Sequence, residues 1–191
     1  MLQNFLQVWG GLFYLLNKIF FSRAERSNNK EKERIWRIRS WFVYLIGLPA
    51  WIILLIPERN WMVVFVEAGG APAMFLGLLI ALRGEDKTPK SLDYIARIAA
   101  VVGIAISLYD FGGLTTWNQV LELGVTIGFL VGTYLLATKK PAGYVWYLLM
   151  NGTCAALMWR EDFPWLAVQQ VASLGFIIDA YLVEKKKPRT V

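Results

Sequence analysis

The chain has 191 residues, 57% of them hydrophobic and 18% charged, with a net charge of +6 and a mean hydropathy of +0.45. Soluble globular chains hold about 45–50% apolar and about 25% charged residues, so this composition describes an integral membrane protein. The absence of histidine removes imidazole acid–base catalysis and the commonest transition-metal ligand, and the lone Cys154 leaves no intrachain disulfide.

A membrane-spanning helix needs roughly 20 mostly apolar residues. Phe5–Phe21 is the first such stretch, short and with Asn17 and Lys18 near one end. It lacks the basic start and small-residue cleavage site of a signal peptide; its alternative is an interfacial helix. Ser22–Ser40 follows as a solvated loop with seven Lys and Arg, with room for helix towards its end. Trp41–Pro57 is the second span, interrupted by Gly47 and Pro49, and Pro57–Asn60 is a turn. Trp61–Leu82 is the third. Its Glu67-Ala-Gly-Gly-Ala-Pro72 predicts a bend with a polar contact. Arg83–Lys90 is a polar loop, and Leu92–Tyr109 is the fourth span. After the turn Asp110–Gly113 comes the fifth, Leu114–Ala137, which contains Glu122. Lys139-Lys140-Pro141 leads into the sixth, which runs to Trp159. The turn Arg160–Phe163 precedes the seventh, Pro164–Val183, with Gln169, Gln170 and Asp179, and Glu184–Val191 is a basic tail. The expectation is an all-α polytopic membrane protein, one transmembrane domain over residues 1–191, with seven transmembrane helices.

The basic residues outside the spans divide 16 to 2 between the two sides of this arrangement. The positive-inside rule makes the side with 16, including the 22–40 loop and the 184–191 tail, cytoplasmic and the N-terminus external. Trp61, Trp117, Trp159 and Trp165 then fall at the outer interface. The bacterial plasma membrane is the expected location. The basic residues lie mainly in loops between apolar runs, so no nucleic-acid partner is implied. Two internal overlays suggest a repeat. A shift of about 105 aligns Trp41 with Trp146, and one of 104 aligns Trp61 with Trp165; a shift of 55 aligns Glu67-x-Gly69 with Glu122-x-Gly124. Both preserve membrane direction, and the first predicts three helices, a connecting helix and three more, as in transporters built from parallel repeats.

Tyr144, Tyr147 and Asn151 are spaced i, i+3, i+7 and share one helix face. An amide in mid-span avoids lipid, because an unpaired amide in hydrocarbon costs several kcal/mol. Asn151 therefore faces other helices, as a helix–helix hydrogen bond, or the wall of a binding site. Intramembrane Glu67, Glu122, Gln169 and Gln170 join it as candidates. With Trp117 they would line an outward-opening cavity for a flat, hydrogen-bonding solute. Gln169 and Gln170 point about 100° apart, so at most one faces a given site. No Cys–His or Ser–His pair, metal cluster or phosphate-cradling motif is present, so neither an enzyme, a metal nor a cofactor is expected.

The segment Tyr144-x-x-Tyr147-x-x-x-Asn151, preceded by Leu-Leu-Ala-Thr-Lys-Lys140 and followed by a last span with Gly175, resembles the PnuC family of nicotinamide riboside and vitamin transporters. That family carries W-x-x-W-x-x-x-N there; both pattern tryptophans are tyrosines in this chain. The likeness covers about Glu122–Glu184. It implies a SWEET-like bundle and facilitated diffusion of a small vitamin or nucleoside-like solute. The alternative is a membrane subunit or scaffold that binds partner helices without transport. Solute and lipid are the implied partners, and a homo-oligomer is left open.

Overall fold

The computed structural model describes residues 2–55, 61–110 and 116–187. Among them are seven α-helices and no strand: α1 (Leu2–Glu25), α2 (Lys30–Leu55), α3 (Trp61–Arg83), α4 (Lys90–Asp110), α5 (Trp117–Ala137), α6 (Ala142–Arg160) and α7 (Pro164–Lys186). The expected turns at Pro57–Asn60 and Phe111–Gly113, with Glu58 and Arg59, lie outside the described residues, as does the side chain of Trp61.

Local chemistry fixes the helix ends. Asn29 starts α2, its Oδ1 accepting from the amides of Glu31 (2.8 Å) and Lys32 (3.2 Å). Thr116 and Gln119 form a reciprocal capping box on α5. Gly84 follows α3 with φ +90°, a left-handed backbone that glycine adopts without strain. Pro164 opens α7, where its missing amide hydrogen costs nothing.

The segment 22–40 is not the solvated loop that its charge suggests. Only Arg26–Asn29 lies between helices, and Ser22, Glu25 and Ser40 are buried. Pairing takes part of it inside, since Arg37 binds Glu33 one turn away (3.0 Å) and Glu25 across the turn (2.6 Å), while Arg23, Arg26, Lys30, Lys32, Arg34 and Arg39 stay exposed on helical backbone and the short turn.

Each helix packs on its sequence neighbours. α3 packs on α5 and α1 on α7, so α1, α2, α3, α5, α6 and α7 close a ring, with α4 against α3 and α5. The α5–α6 contact brings two helix backbones together. Gly124, Gly128 and Gly132 recur every fourth residue on α5, and a Cβ at Gly128 would stand 2.7 Å from the backbone of Trp146 and Met150. Such small-residue stripes let helix backbones touch in the absence of a hydrophobic drive between helices.

The outer surface is apolar. Phe5, Val8 and Leu12 on α1, Ile98 and Val101 on α4, and Val168 and Val171 on α7 are all at least half exposed. An apolar surface on that scale suits lipid contact. Among the described residues, three stretches are long and apolar enough to cross a membrane: Val66–Arg83, Trp117–Ala137 and Pro164–Lys186. These are compatible with a membrane protein. The other helices mix polar groups into their apolar runs, such as Asn17 and Lys18 in α1 and Asn151 in α6, and turn them inward.

Candidate functional site

The inward face of α1 carries Gly10, Tyr14, Asn17, Lys18 and Phe21, spaced for one side of a helix. Tyr14 lies edge-on to Tyr44 of α2 (ring centroids 4.6 Å) and beside Trp51 (5.5 Å). Its hydroxyl donates to Glu67 of α3. This is the polar contact expected at 67–72, in a helix that continues through Pro72. One turn on, the Lys18 ammonium donates to Asn17 Oδ1 (2.9 Å) and stands 4.0 Å from the Tyr147 ring centroid and 4.4 Å from that of Tyr44. Ring faces are negative, so this box suits a cation. Lys18 is 1% exposed, and the nitrogen makes no ion pair among the described residues. Asn17 is held in turn by Ser40 of α2, whose hydroxyl and carbonyl accept from its amide (2.9 and 3.1 Å). The Tyr147 hydroxyl pairs with Thr133 of α5 at 3.0 Å.

Among the described residues, five buried polar atoms nearby have no partner within 3.5 Å: the Tyr44 hydroxyl, which interacts with that of Tyr147 at longer range, Trp51 Nε1, Asn151 Oδ1, Gln169 Oε1 and Gln170 Oε1. Buried polar groups in folded proteins are nearly all hydrogen-bonded, so five around one helix ring is an anomaly. Asn151 makes its one hydrogen bond to Tyr147 O of its own helix (2.7 Å), so no helix–helix tie is seen at this amide.

Of the residues singled out from sequence, Asn151, Tyr147, Glu67 and Gln170 are buried in the ring. Gln169 is half-buried, its amide nitrogen donating to Ser173 (3.0 Å). Glu122 is half-buried on α5 and is not without a partner. Trp117 is 72% exposed on the first turn of α5 and does not belong to this interior. Tyr144 leaves Tyr147 altogether, because its hydroxyl donates to Glu25 (2.6 Å) at the far end of α1. No family model, curated protein or solved structure matches the chain.

Glu25 is the centre of a second cluster, at the end where the basic residues gather. Its carboxylate accepts from Tyr144 of α6, from Arg37 of α2 (2.6 Å) and from Lys187 beyond α7 (2.5 Å). Burial alone would raise its pKa. The Arg37 charge and the bonds from Glu184, Lys187 and Tyr144 outweigh burial and bring the carboxyl down to about 2. Glu184 goes the other way, pushed up by burial and by Glu25 beside it. Asp179 adds a further tie, accepting from Ser22 of α1 and from Arg26 just beyond it. Arg34 caps the end of α3 through the carbonyls of Ala81 (3.0 Å) and Leu82 (2.7 Å). Arg97 joins Asp93 (2.7 Å) and Tyr134 (2.7 Å), linking α4 to α5.

Sequence reasoning missed Tyr14, Lys18, Tyr44, Trp51, Glu25 and Arg37. Lys18 had a signal: an ammonium inside an apolar run, one turn from a tyrosine. Glu25 and Arg37 had none, since twelve residues of charged sequence look alike whether solvated or paired.

Proposed function

We propose that the chain is a seven-span membrane transporter for a small vitamin or nucleoside-like solute, moved by facilitated diffusion through the helix ring. The observation that carries this reading is the group of five unpartnered buried polar atoms in and around a ring that already holds Lys18 and Glu67. Unmet hydrogen-bonding capacity there is destabilising by about 1–3 kcal/mol per group unless something else meets it. A solute passing through would do so.

Several features support the wider reading. The outward apolar stripes of α1, α4 and α6, with Val145 and Leu149 exposed on the last, suit spans that hide their polar groups inside. The α3–α5 and α7–α1 contacts are the pair that a two-fold relation between α1–α3 and α5–α7 would interchange, with α4 as connector. Trp117, Trp159 and Trp165 are all exposed at the end opposite the basic cluster, as an outer aromatic belt would be. The N-terminus is then external, the basic end cytoplasmic, and the PnuC-type transporters of bacterial inner membranes are the functional analogy.

The test is solute-dependent thermal stabilisation of the purified protein, with uptake in cells lacking their own vitamin and nucleoside transporters. At least one riboside, vitamin or nucleoside should stabilise the protein and enter the cells. Asn151→Leu should lower affinity about 5- to 150-fold, the equivalent of 1–3 kcal/mol, while the melting temperature holds. A protein that responds to no solute, or an Asn151→Leu variant with intact affinity, would refute the reading; the first outcome fits a scaffold for partner helices.

A further inference from the structure

The aromatic box between Tyr44 and Tyr147 is the place in this ring where a cationic solute would be held, and the chain's own ammonium occupies it. Building on the transport reading above, we propose that the solute carries no fixed positive charge, and that Lys18 is the residue that decides this by donating to an acceptor oxygen of a neutral or anionic ring solute.

Three observations converge. First, Lys18 Nζ sits 4.0 and 4.4 Å from the two ring centroids, with one hydrogen bond, to Asn17, so the ammonium retains donor capacity inside a 1%-exposed site. Its three N–H groups have no acceptor function to offer. Second, Lys18 is already a cation in this site, and the nearby buried carboxyl of Glu67 is engaged by Tyr14. A pyridinium or thiazolium brought beside Lys18 would meet like-charge repulsion in a weakly screened interior. Third, a buried donor without a partner lies close to the box. Trp51 Nε1 can only donate, is buried and has no partner, and its ring lies beside Tyr14, which touches Tyr44. Donors of this kind call for carbonyl or carboxylate oxygens. A solute of the imide or reduced-amide type provides them and still offers N–H groups to the orphaned Oδ1 of Asn151 and Oε1 of Gln170.

A matched pair isolates the charge. Nicotinamide riboside is a fixed pyridinium cation; its dihydro form has nearly the same shape and no charge. Binding of both is measured by titration calorimetry on the purified full chain in detergent, alongside riboflavin, uridine and thiamine. The wild type should bind the dihydro form at least about tenfold more tightly than the cation, and thiamine weakly or not at all. Lys18→Met and Lys18→Gln should each narrow that ratio, by admitting the cation and weakening the neutral form. The wild-type ratio alone decides the matter where both variants fail to fold. Equal or tighter binding of the cations, or a ratio that Lys18→Met leaves unchanged, overturns the role of Lys18 and leaves the transport reading standing. Silence from all five solutes overturns both.

Discussion

Two polar clusters sit on the same ring of helices, one at its basic end and one inside it. Around Glu25, the carboxylate has Arg37, Lys187 and Tyr144 as donors, drawn from α2, α6 and the residue after α7. Around Lys18, the ammonium has one hydrogen bond and two ring faces, and the neighbouring helices carry five polar atoms with no partner. The first cluster is closed on itself, and a satisfied network of buried charges rigidifies what it joins. The second is left open, and unmet donors and acceptors in the interior are costly except where a ligand completes them. The contrast assigns stability to one end and recognition to the middle.

The largest effect should come from breaking the closed cluster. Glu25→Ala removes the anion that joins four segments, and stripping one partner from a buried pair costs about 3–5 kcal/mol. The low end, about 3 kcal/mol, is expected here, because Arg37 keeps Glu33 and Lys187 is one-third exposed. Thermal unfolding in detergent measures it. A loss below about 1 kcal/mol would mean that the end is not held by this carboxylate, and the division between the two clusters would fall.

The same cluster sets an acid limit. Glu25, held down at about 2 against an ordinary value of 4.5, stabilises the fold fully above the ordinary value, and that stabilisation is lost as the pH falls from about 4.5 towards 2. Glu184, with a raised pKa, acts in the opposite sense: it favours the fold at low pH and costs stability as it ionises above its ordinary value. The melting temperature of Glu184→Gln should therefore fall less than that of the wild type as the pH rises above 4.5, and should keep the acid limb that Glu25 shares with Asp179. An acid limb that survives in Glu25→Gln would have to come from another carboxyl.

An intermediate effect is expected at the α5–α6 seam, which supports both clusters by placing Tyr144 and Tyr147 on α6. Gly128→Val inserts a side chain where even a Cβ would lie 2.7 Å from α6 backbone. Overpacking of this kind costs about 1–3 kcal/mol. The variant should melt lower and lose solute response in step, since Thr133 on α5 orients the Tyr147 hydroxyl.

How far the sequence was legible differs between these regions for a physical reason. Helix positions followed from apolar runs, and the face shared by Tyr147 and Asn151 followed from spacing. The separation of Tyr144 from Tyr147 did not. Three residues on a helix span about 4.5 Å of its axis, enough to put one hydroxyl at the level of Thr133 and the other at Glu25. The loop assignment of 22–40 failed because charge density carries no information on pairing; only the return of α2 against α1 decides whether Glu25 meets Arg37 or water. Lys18 was readable as an intramembrane ion. Its aromatic box was not, because Tyr44 and Tyr147 come from helices 26 and 129 residues away.

The smallest effect should come from Trp117, which spacing and position had placed with the solute-binding residues. The ring is 72% exposed on the first turn of α5, where the capping box of Thr116 and Gln119 already satisfies the helix start. Exposed side chains remote from caps, cavities and buried networks change stability by less than about 0.5 kcal/mol when replaced. Trp117→Ala should therefore leave both the melting temperature in detergent and solute affinity within error of the wild type. Its one expected consequence is in lipid: an indole at the interface anchors the helix there, so reconstitution into bilayers should be mildly less efficient. If Trp117→Ala instead lowers solute affinity tenfold, the outer end of the ring takes part in recognition, and the boundary drawn between the open interior and an inert rim has to move outward to include it.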